Sequence, residues 1–297
     1  MIFVGGLGRS GTTLLERLLG ELPGVAPLGE VVHLWHRGVH ADEPCGCGRP
    51  FSQCRFWHEV GDRAFGGWRP AKADRLLELR NKVDRTRRVP VFVLGLISRE
   101  AQLTEYVAAY HRIYAAAAEV VRGQVVVDSS KHASLAYCLS AILDLTVVHV
   151  VRDPRAVAAS WRRKVARPED GRPMARWSPA RTAVHWFVQN LAYEVLRGKG
   201  VPIVRVHYED LVEEPADTLR VLAGKLGLPD DHEALAFITG RTARLGVAHT
   251  VSGNPMRFHV GRVRFRDRRP DLPFPHRWAV TALTFPLLLW YGYRLNY

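Results

Sequence analysis

Ile2-Phe3-Val4-Gly5-Gly6-Leu7-Gly8-Arg9-Ser10-Gly11-Thr12-Thr13-Leu14-Leu15 joins three local patterns in one short stretch. The apolar run Ile2-Phe3-Val4 predicts a buried strand. The glycines that follow predict a tight turn. Leu14, Leu15, Leu18, Leu19 and Leu22 then recur at the spacing of one apolar helix face. A glycine-rich turn between a strand and a helix N-terminus directs several backbone N–H groups, and the positive end of the helix dipole, at one point. The stretch therefore predicts an anion cradle on an α/β framework. An ordinary capped turn uses the same residue types, so the remainder of the chain has to decide between them.

Outward from this stretch the pattern alternates. Residues 23–70 are punctuated by Gly, Pro, His and Cys and predict irregular structure. Ala71–Arg88 and Arg99–Arg122 predict helices, the second with Leu103, Tyr106, Val107, Tyr110, Ile113, Tyr114 and Ala117 on its apolar face. Gln124–Lys131 reads as a short buried strand with a polar end, followed by a helix over His132–Leu143. Leu145–Arg152 is a second strand. After it, Asp153 is placed to cap a helix that has Pro154 at its first position and runs to about Lys164. Ser178-Pro179 opens a long helix to about Arg197 by the same device. Val201–Tyr208 is a further strand and Pro215–Leu226 a further helix. This alternation predicts a three-layer α/β/α fold with a central parallel sheet, P-loop-like at its first turn. We expect one domain over residues 1–297, with an insertion at about 23–122 on the side of the second substrate. In such sheets ligands bind at the carboxyl ends of the strands. Arg9, Lys131, Arg152 and Tyr208 all fall at or just past such ends.

The spacing Gly6-x4-Gly11 matches that of nucleotide-binding P-loops, but Thr12 occupies the slot of their lysine, and the cation of the loop is Arg9 instead. Arg-Ser-Gly-Thr-Thr in this position is similar to the 5′-phosphosulfate loop of sulfotransferases that use 3′-phosphoadenosine 5′-phosphosulfate (PAPS). Val151-Arg152-Asp153-Pro154-Arg155, with Ser160 downstream, resembles the motif with which that family grips the ribose 3′-phosphate. An arginine fork with a hydroxyl suits such a group. Gly253-Asn254-Pro255-Met256-Arg257 resembles a segment of the bacterial members, and Tyr208-Glu209-Asp210-Leu211 a strand end near the adenine.

The resemblance implies sulfuryl transfer from PAPS to a hydroxyl of a small-molecule, carbohydrate or lipid acceptor. Arg9, Ser10, Gly11, Thr12 and Thr13 would hold the 5′-phosphosulfate. Arg152, Ser160 and Arg257 would hold the 3′-phosphate, and Tyr208 would lie at the adenine. Lys131 would reach the sulfonate or bridging oxygen. Glu30, in Leu28-Gly29-Glu30, would be the general base, with His33, His36 and His132 as alternatives. Arg9, Lys131 and Glu30 are thus the expected catalytic set, and no metal is required because arginine and lysine supply the positive charge. The acceptor site would be walled by residues 23–70, 165–178 and 240–275. Two rival readings stay open. A P-loop kinase or other NTP-dependent phosphotransferase would use Asp128 as a magnesium carboxylate. A non-catalytic anion- or nucleic-acid-binding protein would account for the charge but not for the ordered strand-end residues.

Composition is compatible with these readings. The 297 residues are 47% apolar and 24% charged, which provides for a core and carries no disorder signature. The net charge of +13 favours polyanionic partners. Helix-turn-helix, zinc-finger and RNA-recognition patterns are missing, so nucleic acid is not the expected one. The chain opens directly on strand residues, which predicts a cytoplasmic protein. The apolar run Trp278–Tyr293 is short for a membrane span and holds Pro286, so it predicts a core or interfacial helix that leaves room for surface contact with a membrane. Cys45, Cys47 and Cys54, with His58 close by, have the composition of a zinc site of three cysteines and one histidine, but a disulfide or buried thiols fit the same spacing. Cys138 falls in a helical apolar pattern and is expected in the core.

Overall fold

The computed structural model describes residues 1–96, 100–123, 125–166, 171–266 and 272–295. Its elements, in chain order, are β1 (Ile2–Gly5), α1 (Thr12–Leu19), β2 (Val25–Gly29), α2 (Arg55–Phe65), α3 (Pro70–Val83), α4 (Val89–Val93), α5 (Ala101–Val121), β3 (Val125–Lys131), α6 (Ala133–Ser140) and β4 (Thr146–Val151). There follow α7 (Pro154–Arg162), α8 (Pro179–Gly198), β5 (Ile203–His207), α9 (Tyr208–Glu213), α10 (Pro215–Leu226), β6 (Ile238–Thr239), β7 (Thr242–Leu245), β8 (Gly261–Arg264), α11 (Phe274–Thr284) and α12 (Leu287–Trp290). Arg99 and Gln124, the expected first residues of a helix and a strand, lie outside the described residues.

Five strands form one sheet in the order β2-β3-β1-β4-β5, and every neighbouring pair is parallel. Strand alternation sorts the core onto two faces. Phe3 and Val147 face a cluster built from α2, α3, α5, α6 and the C-terminal part of α8. Ile2, Val4, Val127, Val148, Val150 and Val206 face α1, α9 and α10. The result is a single α/β domain with helices on both sides of the sheet. A small antiparallel sheet, β6-β7-β8, flanks it. Parallel pairing brings the carboxyl ends into line: Gly5 lies opposite both Lys131 and His149, and Val151 lies opposite His207. The cationic residues that follow those ends are thereby gathered along one edge.

Several boundaries differ from the sequence reading. Residues 23–70 are not irregular throughout. They contain the edge strand β2, which tolerates Pro27 because an edge strand need not donate along its outer side. They also contain helix α2. The strand β5 ends at His207, so Tyr208 opens α9 instead of closing a strand. The C-terminal apolar run is split into α11 and α12, and no helix among the described residues is long and apolar enough to cross a membrane. Cys138 is fully buried, as expected.

Helix α1 is the wedge on which the sheet's second face packs. Leu14, Leu15, Leu18 and Leu19 are all buried, and so is Leu22, three residues beyond its end. Burying each leucine contributes about 1.5–3 kcal/mol, so the helix is held mainly by its face rather than by its eight-residue length. Leu18→Ala, at a position with no exposed surface, is expected to lower the unfolding free energy by about 2–5 kcal/mol. Urea titration of the two proteins measures the difference, and a loss under about 1 kcal/mol would contradict this packing.

Candidate active site

The turn between β1 and α1 is shaped by backbone that only glycine can supply at two places. Gly6 has φ 138° and Gly11 φ 95°. A Cβ at Gly6 would come within 2.5 Å of the Val150 carbonyl oxygen, and one at Gly11 would overlap the Tyr208 ring. The turn closes with Ser10 N–H donating to the Leu7 carbonyl at 3.1 Å. Gly11 precedes α1, whose first N–H groups have no carbonyl to bond within the helix and open toward the same space.

Two arginines flank this turn. Arg9, itself at φ 75°, extends beside Trp161 with its guanidinium 5.6 Å from the ring centre. Trp161 in turn donates its indole N–H to the Gly8 carbonyl at 2.9 Å and stacks flat on Trp177, 3.9 Å away and 3° from parallel. Burial, and then the neighbouring Arg163 cation, push the Arg9 guanidinium below its usual pKa, so its charge is costly until an anion arrives. Arg152, just past β4, donates to the Arg9 carbonyl at 3.0 Å and lies 4.0 Å over the Tyr208 ring. Its Nε is buried and has no hydrogen-bond partner among the described residues. Asp153 caps α7 by accepting from Arg155 N–H at 2.8 Å. Arg155 is a structural residue: fully buried, it pairs with Asp153 at 2.6 Å and donates to the carbonyls of Arg294 and Leu295.

The third cation, Lys131, ends β3 at φ 69°. Its carbonyl accepts from Gln189 at 2.8 Å and Tyr193 at 2.7 Å, and its ammonium makes a short ion pair with Glu30. Glu30 is placed by Gly29, which at φ 85° allows the Val251 backbone to approach. Glu30 N–H donates to the Val251 carbonyl, and Val251 N–H to the Leu28 carbonyl, each at 2.8 Å. Burial would raise the Glu30 carboxyl, but the Lys131 ammonium leads a set of neighbours that outweigh it and hold the group below its usual range. His33 lies 3.5 Å from Glu30 and is lowered by burial to about 3, so its imidazole is neutral. Burial lowers His132 as well.

Beneath this pair lies a carboxylate that the sequence reading missed. Glu16, on the buried face of α1, accepts from Gly29 N–H at 2.5 Å and from the Ser129 hydroxyl at 2.7 Å. It thereby ties the ends of β2 and β3, which carry Glu30 and Lys131. Burial raises its carboxyl from the ordinary 4.5 to about 7, against the lowering effect of those two hydrogen bonds. The sequence carries no signal for it, because Glu16 stands beside the leucine face of α1, where a charged residue reads as solvent-exposed.

All three cations open into one cavity of about 760 Å³. Of the expected residues, Arg9, Gly11, Thr12, Thr13, Glu30, Lys131, Arg152, Ser160 and Tyr208 line it, together with His33 and His132. Ser10, His36 and Arg257 are not among its lining. Ser10 is buried within the turn. Arg257 is 1% exposed and donates to the Thr250 carbonyl at 3.1 Å, and its own carbonyl accepts from Arg17 at 2.7 Å. It braces the loop from behind, while Gly253, Asn254 and Met256 present that loop to the cavity. Asp128, the candidate magnesium carboxylate, is also turned away: it is fully buried and bonded to Tyr114 at 2.6 Å and to Ser130 N–H at 2.8 Å.

The three segments expected to wall the second substrate contribute Arg37, Met174, Trp177 and the run Val263–Arg266 to the lining. Residues 167–170 and 267–271 of those segments lie outside the described residues. Trp161, His185 and Gln189 line the cavity without having been anticipated. Away from the cavity, His58 points outward and pairs with Asp62 at 3.0 Å, so it is not the partner of the cysteines. The histidine beside them is His249.

The glycine-rich turn with Arg9, the second arginine Arg152 and the Lys131–Glu30 pair, all carried on parallel strand ends, thus share one cavity. The profile of the Sulfotransferase family matches residues 2–232, and the chain belongs to that family. Among solved structures, the sulfotransferase domain from the curacin biosynthetic pathway shares the fold, with a TM-score of 0.54 and 18% identity over 100% of this chain and 98% of that one. The sulfotransferase domain of the Synechococcus PCC 7002 olefin synthase aligns at TM-score 0.45, with 22% identity over 80% and 76% of the two chains. Sulfotransferase STF1 of Mycobacterium tuberculosis aligns at 0.43, with 20% identity over 78% and 68%. No curated protein matches the chain.

The raised carboxyl of Glu16 has a measurable consequence. The folded state holds the Glu16 proton more tightly than the unfolded chain, so stability falls as pH rises from about 4.5 to about 7. Glu16→Gln keeps an acceptor for Gly29, turns an amide donor to the Ser129 hydroxyl in place of the acceptor there, and removes the titration. Denaturation at pH 5 and pH 8 should therefore give a smaller loss of stability for the variant than for the parent. Equal losses would show that Glu16 does not titrate in this window.

Proposed function

We propose that this protein transfers the sulfuryl group of PAPS to a hydroxyl of a small-molecule, carbohydrate or lipid acceptor. The observation that carries this reading is the division of one cavity between two anion grips. The Arg9 turn with the α1 N-terminus forms one. Arg152, whose Nε has no hydrogen-bond partner among the described residues, and Ser160 form the other. A nucleotide with phosphates at both its 5′ and 3′ positions would occupy both, whereas a nucleoside triphosphate would leave the second idle. The 5′-phosphosulfate lies against Gly11, Thr12 and Thr13 in this reading, the 3′-phosphate against Arg152 and Ser160, and the base beside Tyr208.

PAPS supplies an activated sulfur whose leaving group is a phosphate oxygen. The acceptor oxygen bonds to that sulfur as the bond to the 5′-phosphate breaks, and the acceptor proton passes to Glu30. Positioning and charge stabilisation do most of the work in such in-line transfers. Lys131 has a double role here. Paired with Glu30 it keeps the carboxylate ionised; drawn to the bridging oxygen of the donor, it releases Glu30, whose burial then makes it a stronger base. Arg9 faces the charge on the transferring group. The flat Trp161–Trp177 wall, with Met174 and His185, offers an apolar and aromatic surface to the acceptor.

Titration with 3′-phosphoadenosine 5′-phosphate and with its 3′-hydroxyl counterpart tests the donor assignment. Arg152→Ala should weaken the bisphosphate by about 10- to 100-fold, the scale of a charged hydrogen-bond pair, and the monophosphate far less. Equal losses would remove Arg152 from the 3′-phosphate, and thermal stabilisation by ADP with magnesium alone would overturn the donor. Glu30→Gln should lower the turnover of sulfated product by about 10²- to 10⁴-fold while bisphosphate affinity stays within a few-fold. A variant with parental turnover would exclude Glu30 as the base.

A further inference from the structure

Outside the cavity, three thiols and one imidazole converge from three separate parts of the chain. Cys45 and Cys47 lie on a tight turn closed by Cys45 N–H to the Arg49 carbonyl and Gly48 N–H to the Cys45 carbonyl, both at 2.8 Å. Cys54 immediately precedes α2. His249 comes from the loop that pairs with β2, 195 residues from Cys54. Their Sγ and Nδ1 atoms all lie within 4.8 Å of one another. Cys45 and Cys54 are buried, and none of the four residues lines the cavity.

The separations are those of a coordination shell. Zinc bound at about 2.3 Å to sulfur and about 2.0 Å to nitrogen sets tetrahedral ligands about 3.8 Å apart for two sulfurs and about 3.5 Å for sulfur and nitrogen. Cys45–Cys54 and Cys47–Cys54 are 3.6 and 3.8 Å apart, and His249 Nδ1 is 3.3 Å from Cys54 and 3.9 Å from Cys45. A disulfide would need sulfurs at about 2.05 Å and would leave the third cysteine over. We propose that Cys45, Cys47, Cys54 and His249 form a closed structural site for one zinc ion.

The surroundings are built for such a site. The His249 ring is stacked on Phe56 at 5.3 Å, and its carbonyl accepts from the Trp57 indole at 2.9 Å, which fixes the direction of the imidazole. Gly46 lies between the first two cysteines and donates to the Thr250 carbonyl at 2.9 Å. A Cβ there would come within 2.5 Å of the Ala248 carbonyl oxygen. The N-terminus of α2 favours the thiolate form of Cys54. Three thiolates and a neutral histidine with no open position match a structural zinc ion better than a catalytic one. The ion would staple the cysteine turn and α2 to the 249–256 loop. That loop braces Glu30 through Val251 and lines the cavity with Gly253, Asn254 and Met256.

The test is elemental analysis of the full chain, purified without a histidine tag under reducing conditions, with cobalt uptake by the chelator-treated protein read by absorption. One zinc per chain is expected, with the sulfur-to-metal charge-transfer and visible bands of a tetrahedral thiolate site on cobalt loading. His249→Cys should retain the ion in an all-thiolate site, and His58→Ala should retain it unchanged. His249→Ala and Cys47→Ser should lower zinc content at least about tenfold, and chelation should lower the melting temperature of the parent. A folded, reduced parent that carries no stoichiometric zinc and takes up no cobalt would overturn the proposal, as would parental zinc content in both His249→Ala and Cys47→Ser.

Discussion

The carbonyl of Lys131 is the point at which the site is joined to the fold. It accepts from the Tyr193 hydroxyl and the Gln189 amide, both on α8, and from Gly6 N–H at the start of the glycine-rich turn. The residue bends out of β3 with a positive φ that a side-chain-bearing residue adopts only under constraint. These bonds supply that constraint. They hold the first turn, the third strand and the longest C-terminal helix in one relation, and they leave the lysine ammonium aimed at Glu30. Tyr193 packs so closely beneath Gly5 that a Cβ there would overlap its ring. The cations of the site are therefore placed by backbone, and their side chains have only to extend from fixed origins.

A second layer of polar anchoring lies below. Glu16 bonds the ends of two adjacent strands from the buried side of α1, and Arg17, equally buried, reaches the carbonyls of Arg257 and Gly246 on the far loop. Two successive charged residues on a helix otherwise packed with leucine thus divide the labour between sheet and loop. Buried charged groups are costly unless bonded, and each of these has its partners in the parts of the structure that must not move. The Lys131–Glu30 pair sits directly over this layer.

The sequence alone was sufficient for the parts governed by local rules. Strand, turn and helix at residues 2–19, the Asp153-Pro154 cap and the helix Pro215–Leu226 follow from periodicity and capping chemistry, and the structure has them where expected. The edge strand β2 escaped notice because five residues that include Pro27 carry no alternation worth trusting, and their strand character comes from pairing with β3. α2 was hidden by Gly61, which a helix rarely favours. The structure accounts for it: Trp68 packs where a side chain would stand. Arg257 looked like a ligand contact in the sequence, since motif position does not say whether an arginine faces a cavity or a carbonyl. His249 could not be joined to the cysteines by spacing at all, because sheet topology alone brings residues so distant in the chain together.

In the proposed reading the cations that would grip the donor descend from strand ends of one sheet, whereas the opposite walls come from segments outside it: Arg37, Met174, Trp177 and the run around β8. Such a division separates two rates of divergence. On that reading, insertions and substitutions in the walls would reshape the acceptor space without disturbing strand register, and the donor side would be left intact. The curacin-pathway domain keeps the same fold at 18% identity.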